Sequence, residues 1–163
     1  KELLDLPILY LSRYIIKYKS EYYRLIQSVR DNNNWEDWIL FILKGVEETT
    51  EETIVLVKQI KLLMQEYKEK MRLVLGKQYS HELLNNLFNH PYTKIEFVIK
   101  DLNVSRITAT SYLNRLVDSG LLEKLKLGNS NFYLNTQLTK LLMEHSPSVN
   151  DHFERIDSIS KMI

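Results

Sequence analysis

The residues best suited to chemistry in this chain are four histidines, two pairs of carboxylates and the polar face of one short helix. His81 is followed by Glu82, which is how a zinc-protease helix opens. Position 85 is Asn, however, so the second imidazole at i+4 is missing. His90, His145 and His152 complete the set. Glu47-Glu48 and Glu51-Glu52 read as helix-start or solvent charges, with no apolar surroundings. Cysteine is absent, which removes disulfides, thiolate metal sites and cysteine nucleophiles together. No GxGxxG or P-loop occurs. No catalytic residue and no metal ligand is therefore expected.

The polar helix is VSRITATSYLNRLVDSGLL, residues 104–122. At about 100° per residue, Ala109, Tyr112, Leu113 and Leu116 fall in one apolar sector and should face a core. The opposite face carries Thr108, Ser111 and Arg115, with Ile107 and Asn114 beside them. Hydroxyl, amide and guanidinium groups are those that reach base edges and phosphates. Ser105 caps the helix and leaves first-turn N–H groups able to approach a phosphate, next to Arg106. Downstream, LLEKLKLGNSNFYLN alternates Leu125 and Leu127 with Lys124 and Lys126. A Gly-Asn-Ser-Asn turn follows, then Phe132 and Leu134 alternate again, so a β-hairpin is expected. Lys124 and Lys126 on that hairpin, with Asn129 and Asn131 at its tip, are placed to grip a nucleic-acid backbone.

The other elements follow from caps and breaks. A first helix starts near LDLPIL, with Asp5 as cap and Pro7 in the first turn, and runs to about Arg30, where DNNN breaks it. Asn34 caps WEDWILFILKGVEE, with Glu36 and Asp37 in its first turn. Thr49 and Glu52 form a capping-box pattern that opens a long helix to about Leu75, stopped by Gly76. Val57, Ile60, Met64, Tyr67, Met71 and Val74 make a seam along it, suited to an intramolecular core or a dimer contact. Then come a short helix capped by Ser80, a second capping box at Thr93 and Glu96, the helix from Ser105, the hairpin, and a last helix from about Thr136 to His145. Three helices followed by a hairpin is the order of a winged helix-turn-helix, whose third helix enters the major groove. The fold class is thus mainly α. The domains are expected at 1–76 (helices), 77–145 (winged helix) and 146–163 (tail).

Composition limits what these elements can do. The 163 residues carry 22 basic and 21 acidic side chains, a net charge of +1, with 44% hydrophobic and 26% charged residues. That is a folding composition with no molecule-wide attraction for nucleic acid or membrane. Between residues 81 and 136, six basic side chains face five acidic ones, whereas a DNA reader shows a strong basic footprint. The winged helix therefore has two readings, duplex DNA binding and protein docking or dimerisation. No apolar run is long enough to cross a bilayer, and a cytoplasmic location is expected. The chain begins with Lys1, which fits a piece of a longer polypeptide.

One stretch narrows the field. LPILYLSRYIIKYKSEYYRLIQSVRDNNNWEDWILFIL holds tandem tyrosines, Val29-Arg30 before a polar loop, and Trp35-Glu36-Asp37-Trp38 at the next helix start. In this order they resemble the segment directly after the catalytic motif of the Fic (filamentation induced by cyclic AMP) family. The resemblance continues through the long helix into PYTKIE and SRITATSYLNRL, segments like those that end bacterial Fic proteins of one common architecture.

The resemblance implies a parent enzyme that transfers AMP from ATP to a hydroxyl of a target protein, through an HPFxDGNGR-type motif. That motif is missing here: His90-Pro91 leads into YTKIE, and Gly128-Asn129-Ser130 lacks the second glycine and the arginine. This chain is not expected to catalyse alone. ATP is implied for the parent, and the parent's Fic catalytic region is an expected partner, with a homodimer as another. The resemblance also places Arg30, Asn34, Trp35 and Trp38 near the adenine, with Tyr22 or Tyr23 beside them. Equally, two tryptophans three apart on a helix can be core and cap. The leading expectation is the C-terminal regulatory or DNA-binding portion of a Fic-family protein. The alternatives are a free-standing winged-helix transcription regulator and an inactive protein-interaction module.

Overall fold

The computed structural model describes residues 11–128 and 130–145. The expectations for Asp5, Pro7, Asn129, His152 and the 146–163 tail lie outside the described residues. The elements run α1 (Leu11–Lys17), α2 (Lys19–Asn32), α3 (Trp35–Leu75), α4 (His81–Asn89), β1 (Tyr92–Thr93), α5 (Ile95–Leu102), α6 (Arg106–Asp118), β2 (Glu123–Leu127), β3 (Ser130–Leu134) and α7 (Thr136–Glu144). This mainly helical architecture, with one long helix and a small antiparallel sheet, is consistent with the expected fold class. The chain divides into two compact units, Lys1–Val57 and Lys58–Ile163.

In the first unit the single expected helix is two, α1 and α2, separated at Tyr18 (φ −113°, ψ 38°). Asn33 ends α2 in the left-handed region (φ 53°), a conformation that asparagine tolerates. Tyr14, Leu25 and Phe41 are buried together, with Leu11, Tyr22, Trp38 and Ile42 packed against them. Arg13–Glu52 (3.0 Å) and Lys17–Glu48 (3.5 Å) link α1 to α3. No helix among the described residues is long and apolar enough to cross a membrane.

The expected helix start at Thr49 is overturned, because α3 runs unbroken for 41 residues. A capping box needs a chain entering from extended backbone, with its hydroxyl and carboxylate turned to free N–H groups. Here Thr49 is buried, Thr50 Oγ1 donates back to the Val46 carbonyl (2.6 Å), and Thr53 Oγ1 donates to that of Thr49 (2.7 Å). Glu52 pairs with Arg13 instead of reaching back to Thr49. These are the back-bonds that threonines make inside a helix. Gly76 does stop α3, at φ 58°.

The seam expected along α3 is half right. Tyr67 and Met71 are fully buried and Met64 and Val74 pack beside them, but Val57 is exposed. They join Leu83, Leu84, Leu87, Val98, Ala109, Leu113, Leu116 and Tyr133 in one core. Ser80 caps α4 through the Leu83 N–H (3.1 Å). The hairpin forms as expected, with Leu125 opposite Phe132 and Lys124 opposite Tyr133. A strand that was not expected, β1, pairs with β3 through Tyr92–Leu134 and Thr93–Tyr133, giving the order β1-β3-β2.

The second expected capping box also fails. Lys94, with no side-chain cap bond, precedes α5, while Thr93 is drawn into the sheet and donates to Asn86 Oδ1 (2.6 Å). Asn86 in turn donates to Asp101 Oδ2 (2.7 Å).

Candidate functional site: the α6 surface and the hairpin

Ser105 fixes the start of α6: its Oγ accepts the Thr108 N–H at 3.2 Å and lies 2.9 Å from the Thr108 hydroxyl. Both hydroxyls thus bond each other and the helix start. Ala109, Leu113 and Leu116 are completely buried, as the 100° pattern required, and Tyr112 is half-buried against them. The opposite face shows Ser105, Arg106, Ile107 and Ser111 to solvent, with Thr108, Asn114 and Arg115 half-buried. Its most prominent side chain is apolar: Ile107 is 84% exposed.

The two arginines are both engaged. Arg115 turns away from the open face and donates to Gln78 Oε1 (2.6 Å) and to the Val74 carbonyl at the end of α3. A helix end leaves such carbonyls without intrahelical partners, and a guanidinium there also suits the helix dipole. Arg106 pairs with Glu96 at 3.3 Å across to α5, an exposed contact.

On the hairpin, Lys124 lies 5.7 Å from the centroid of the Tyr133 ring, and Lys126 is exposed. The structure brings Arg106 and Asn131 together around one concavity, whose other walls are Lys94, Ile95, Glu96, Phe97 and Ser130. Lys94 was not singled out from sequence, and Glu96 was read only as the partner of Thr93 in a helix cap. Lys94 Nζ sits 4.2 Å from the Phe132 ring centroid.

The four residues placed near adenine by resemblance are dispersed in role. Arg30 is exposed. The Asn34 amide donates to Asp37 Oδ2 (2.7 Å), tying the loop to the first turn of α3. The Trp35 indole donates to Asn33 Oδ1 (3.0 Å) and stacks edge-on with Trp38 at 6.1 Å. Trp38 packs on the Tyr14 cluster with its N–H buried and unpartnered. A nearby concavity is lined by Tyr14, Tyr18, Glu21, Arg24, Leu25, Asp37, Leu40, Phe41 and Lys44, and includes none of the four. Among the described residues no group of three or more His, Asp or Glu side chains is placed to hold a metal ion.

These features converge on one comparison. Residues 63–138, from the last part of α3 into α7, match the family model described as the C-terminal domain of SoFic-like protein adenylyltransferase. Over these residues the chain is similar to that SoFic-like C-terminal domain. The expectation of a C-terminal part of a Fic-family protein is borne out over these residues. The matched segment takes in Tyr67, Met71 and Leu75 of α3 with the sheet and α4 to α6, so the SoFic-like domain includes the end of the long helix as part of its core.

Proposed function

We propose that this chain is the regulatory C-terminal portion of a Fic-family protein adenylyltransferase, and that its winged-helix unit works by docking protein. The observation that carries this reading is the composition of the open α6 face. Ile107 stands out from it at 84% exposure, while Arg106 is paired and Arg115 is withdrawn to the end of α3. A surface with few free cations gains little from phosphate neutralisation, which supplies most non-specific DNA affinity. In this reading AMP transfer, and the ATP it consumes, belong to the catalytic region of the parent chain. The chain itself contributes control of that region.

A second reading, duplex DNA binding, is favoured by one feature. Ser105, Arg106, Ser111, Lys124, Lys126 and Asn131 still offer hydrogen-bond donors on α6 and the hairpin. Titrating labelled random duplex over a salt series separates the two. The docking reading expects no measurable affinity at low salt. Binding that weakens steeply with salt, and that weakens further on replacing Lys124 and Lys126, would replace it with the DNA reading. On the parent protein, removing residues 63–138 is expected to change the rate of AMP transfer to a protein acceptor, and an unchanged rate would sink the regulatory role.

A further inference from the structure

The strand register sorts the sheet's side chains onto two faces. Thr93, Tyr133 and Lys124 lie in one row, and both Thr93 and Tyr133 are 1% exposed, so their face looks into the core. The rows on either side must then project outward. These are Tyr92–Leu134–Glu123 and Phe132–Leu125, followed by Ser130–Leu127 at the hairpin tip. An antiparallel sheet wetted on one side ordinarily carries polar residues there. This one is inverted: Tyr92 is 40%, Leu125 37% and Leu127 62% exposed, with Phe132 and Leu134 half-buried between them. The rings of Tyr92 and Phe132 lie 5.5 Å apart. The lysines of β2 are on the opposite face. Burial of Tyr133 fixes the register, so this apolar face cannot be relieved by a one-residue slip.

The apolar surface continues beyond β3 into a concavity lined by Leu134, Thr136, Thr139, Lys140, Met143 and Glu144. Charges of both signs surround the whole: Lys94, over the Phe132 ring, and Lys140, against Glu123 and Glu144.

We propose that this sheet face is an interface between two copies of this chain. Contiguous apolar surface rimmed by polar groups marks a contact site. The mixed rim selects the occupant: across a two-fold axis each lysine of one copy can meet a glutamate of the other, which a self-complementary patch requires. A nucleic acid would meet two carboxylates and gain nothing from leucines. A charged peptide would favour a rim of the opposite sign throughout. Lys124 and Lys126 run along the free strand β2 and oppose strand addition there, which leaves face-to-face packing. The inference goes beyond the docking reading and stands whichever ligand α6 takes.

Sedimentation of the whole chain over a concentration series tests it, with circular dichroism confirming that each variant folds. The wild-type chain is expected to dimerise. Leu127→Glu, at an exposed hairpin position, should weaken dimerisation at least about tenfold, as burying an unpaired carboxylate among apolar groups demands. Lys94→Glu and Glu123→Lys should each weaken it, and mixing the two folded variants should restore a mixed dimer. A chain that stays monomeric throughout would overturn the proposal. So would a dimer indifferent to all three substitutions, which would locate self-association elsewhere, and so would a mixture of the two swapped variants that fails to recover.

Discussion

The two units of this chain solve the burial problem to different degrees. Among the described residues, the first gathers Tyr14, Leu25 and Phe41 into a small buried apolar cluster, and leaves Ile16, Tyr23, Trp35, Ile39, Leu40 and Leu43 largely exposed. The second buries fourteen apolar residues in one connected core, from Tyr67 to Tyr133. Ordering each residue costs about 1–2 kcal/mol of backbone entropy, and burying a large side chain returns about 1.5–3 kcal/mol. A three-residue cluster is thus poorly placed to hold its helices unaided, whereas the second unit has the core of a folding domain. The lesson is that helix content alone does not measure stability. Both units are helical, and their described residues bury apolar surface to very different degrees.

That contrast can be broken most directly in the core. Leu113→Ala, at a fully buried site in the second unit, should cost about 2–5 kcal/mol. Phe41→Ala removes a larger side chain yet should cost less, because the small cluster around it can collapse into the gap. Both tryptophans lie in the first unit, so their fluorescence reports Phe41→Ala, while circular dichroism in urea follows the cooperative loss at Leu113. A reversed order would mean that the first unit is the more tightly built.

The second unit also holds a buried polar link. Tyr67 donates towards the Leu121 carbonyl (2.9 Å) and Asn135 Oδ1 (2.8 Å). The same Asn135 oxygen caps α7 through the Leu138 N–H (3.0 Å), while Asn135 Nδ2 donates to the Leu87 carbonyl (3.3 Å). One phenol therefore ties α3 to the loop after α6 and to the start of α7. Tyr67→Phe leaves those acceptors short of a donor in the core and should cost about 1–3 kcal/mol. Burial, aided by nearby Glu66, pushes the Tyr67 hydroxyl up to about 12. The unfolded phenol ionises near 10, so the folded state holds its proton longer. Its contribution is complete below pH 10 and is lost as pH rises from there towards 12. The wild-type chain should therefore lose stability over that window faster than Tyr67→Phe, as thermal melts at stepped pH would record.

Much of this packing was legible in the residues, and the failures have physical causes. The face of α6 emerged from periodicity because Ala109, Leu113 and Leu116 meet one large core, where pattern and burial must agree. The Ser80 and Ser105 caps were legible because a serine before an apolar run has few competing partners. Thr49 and Thr93 carried the same local signal, but tertiary contacts claimed them, one inside α3 and the other for Asn86. β1 is two residues long, too short for an alternation to register. Arg115 was read as facing outward because sequence spacing gives the direction of Cβ, not where a long side chain ends.

The first unit has one close contact that sharpens the comparison further. Gly45 lies inside α3, where alanine would ordinarily gain about 1 kcal/mol of helix stability. A Cβ there would stand 2.5 Å from Cδ1 of Tyr14 and 2.9 Å from Cδ1 of Leu11. The missing side chain lets α1 lie against α3. Overpacking of this kind costs about 1–3 kcal/mol, so Gly45→Ala should be a net loss of about 1 kcal/mol, visible in Trp fluorescence melts. A stabilised variant would show that α1 is free to move aside, and the first unit would be looser still than its small core suggests.

The smallest effect separates the two arginines of α6. Arg106 makes an exposed pair with Glu96, and such pairs contribute between nothing and about 1 kcal/mol. Arg115 satisfies a carbonyl at the end of α3 and holds Gln78, a half-buried arrangement worth about 1 kcal/mol or somewhat more. Arg115→Ala should therefore lower the melting temperature of the second unit measurably, and Arg106→Ala should leave it nearly unchanged. If α6 were a nucleic-acid reader, the ranking would be expected to invert in a duplex-binding assay, with the exposed Arg106 mattering more than the withdrawn Arg115. A stability loss at Arg115 with no binding phenotype at either position would place the first arginine in solvent and the second in the architecture. The open face of α6 would then belong to Ile107 and the hydroxyls around it.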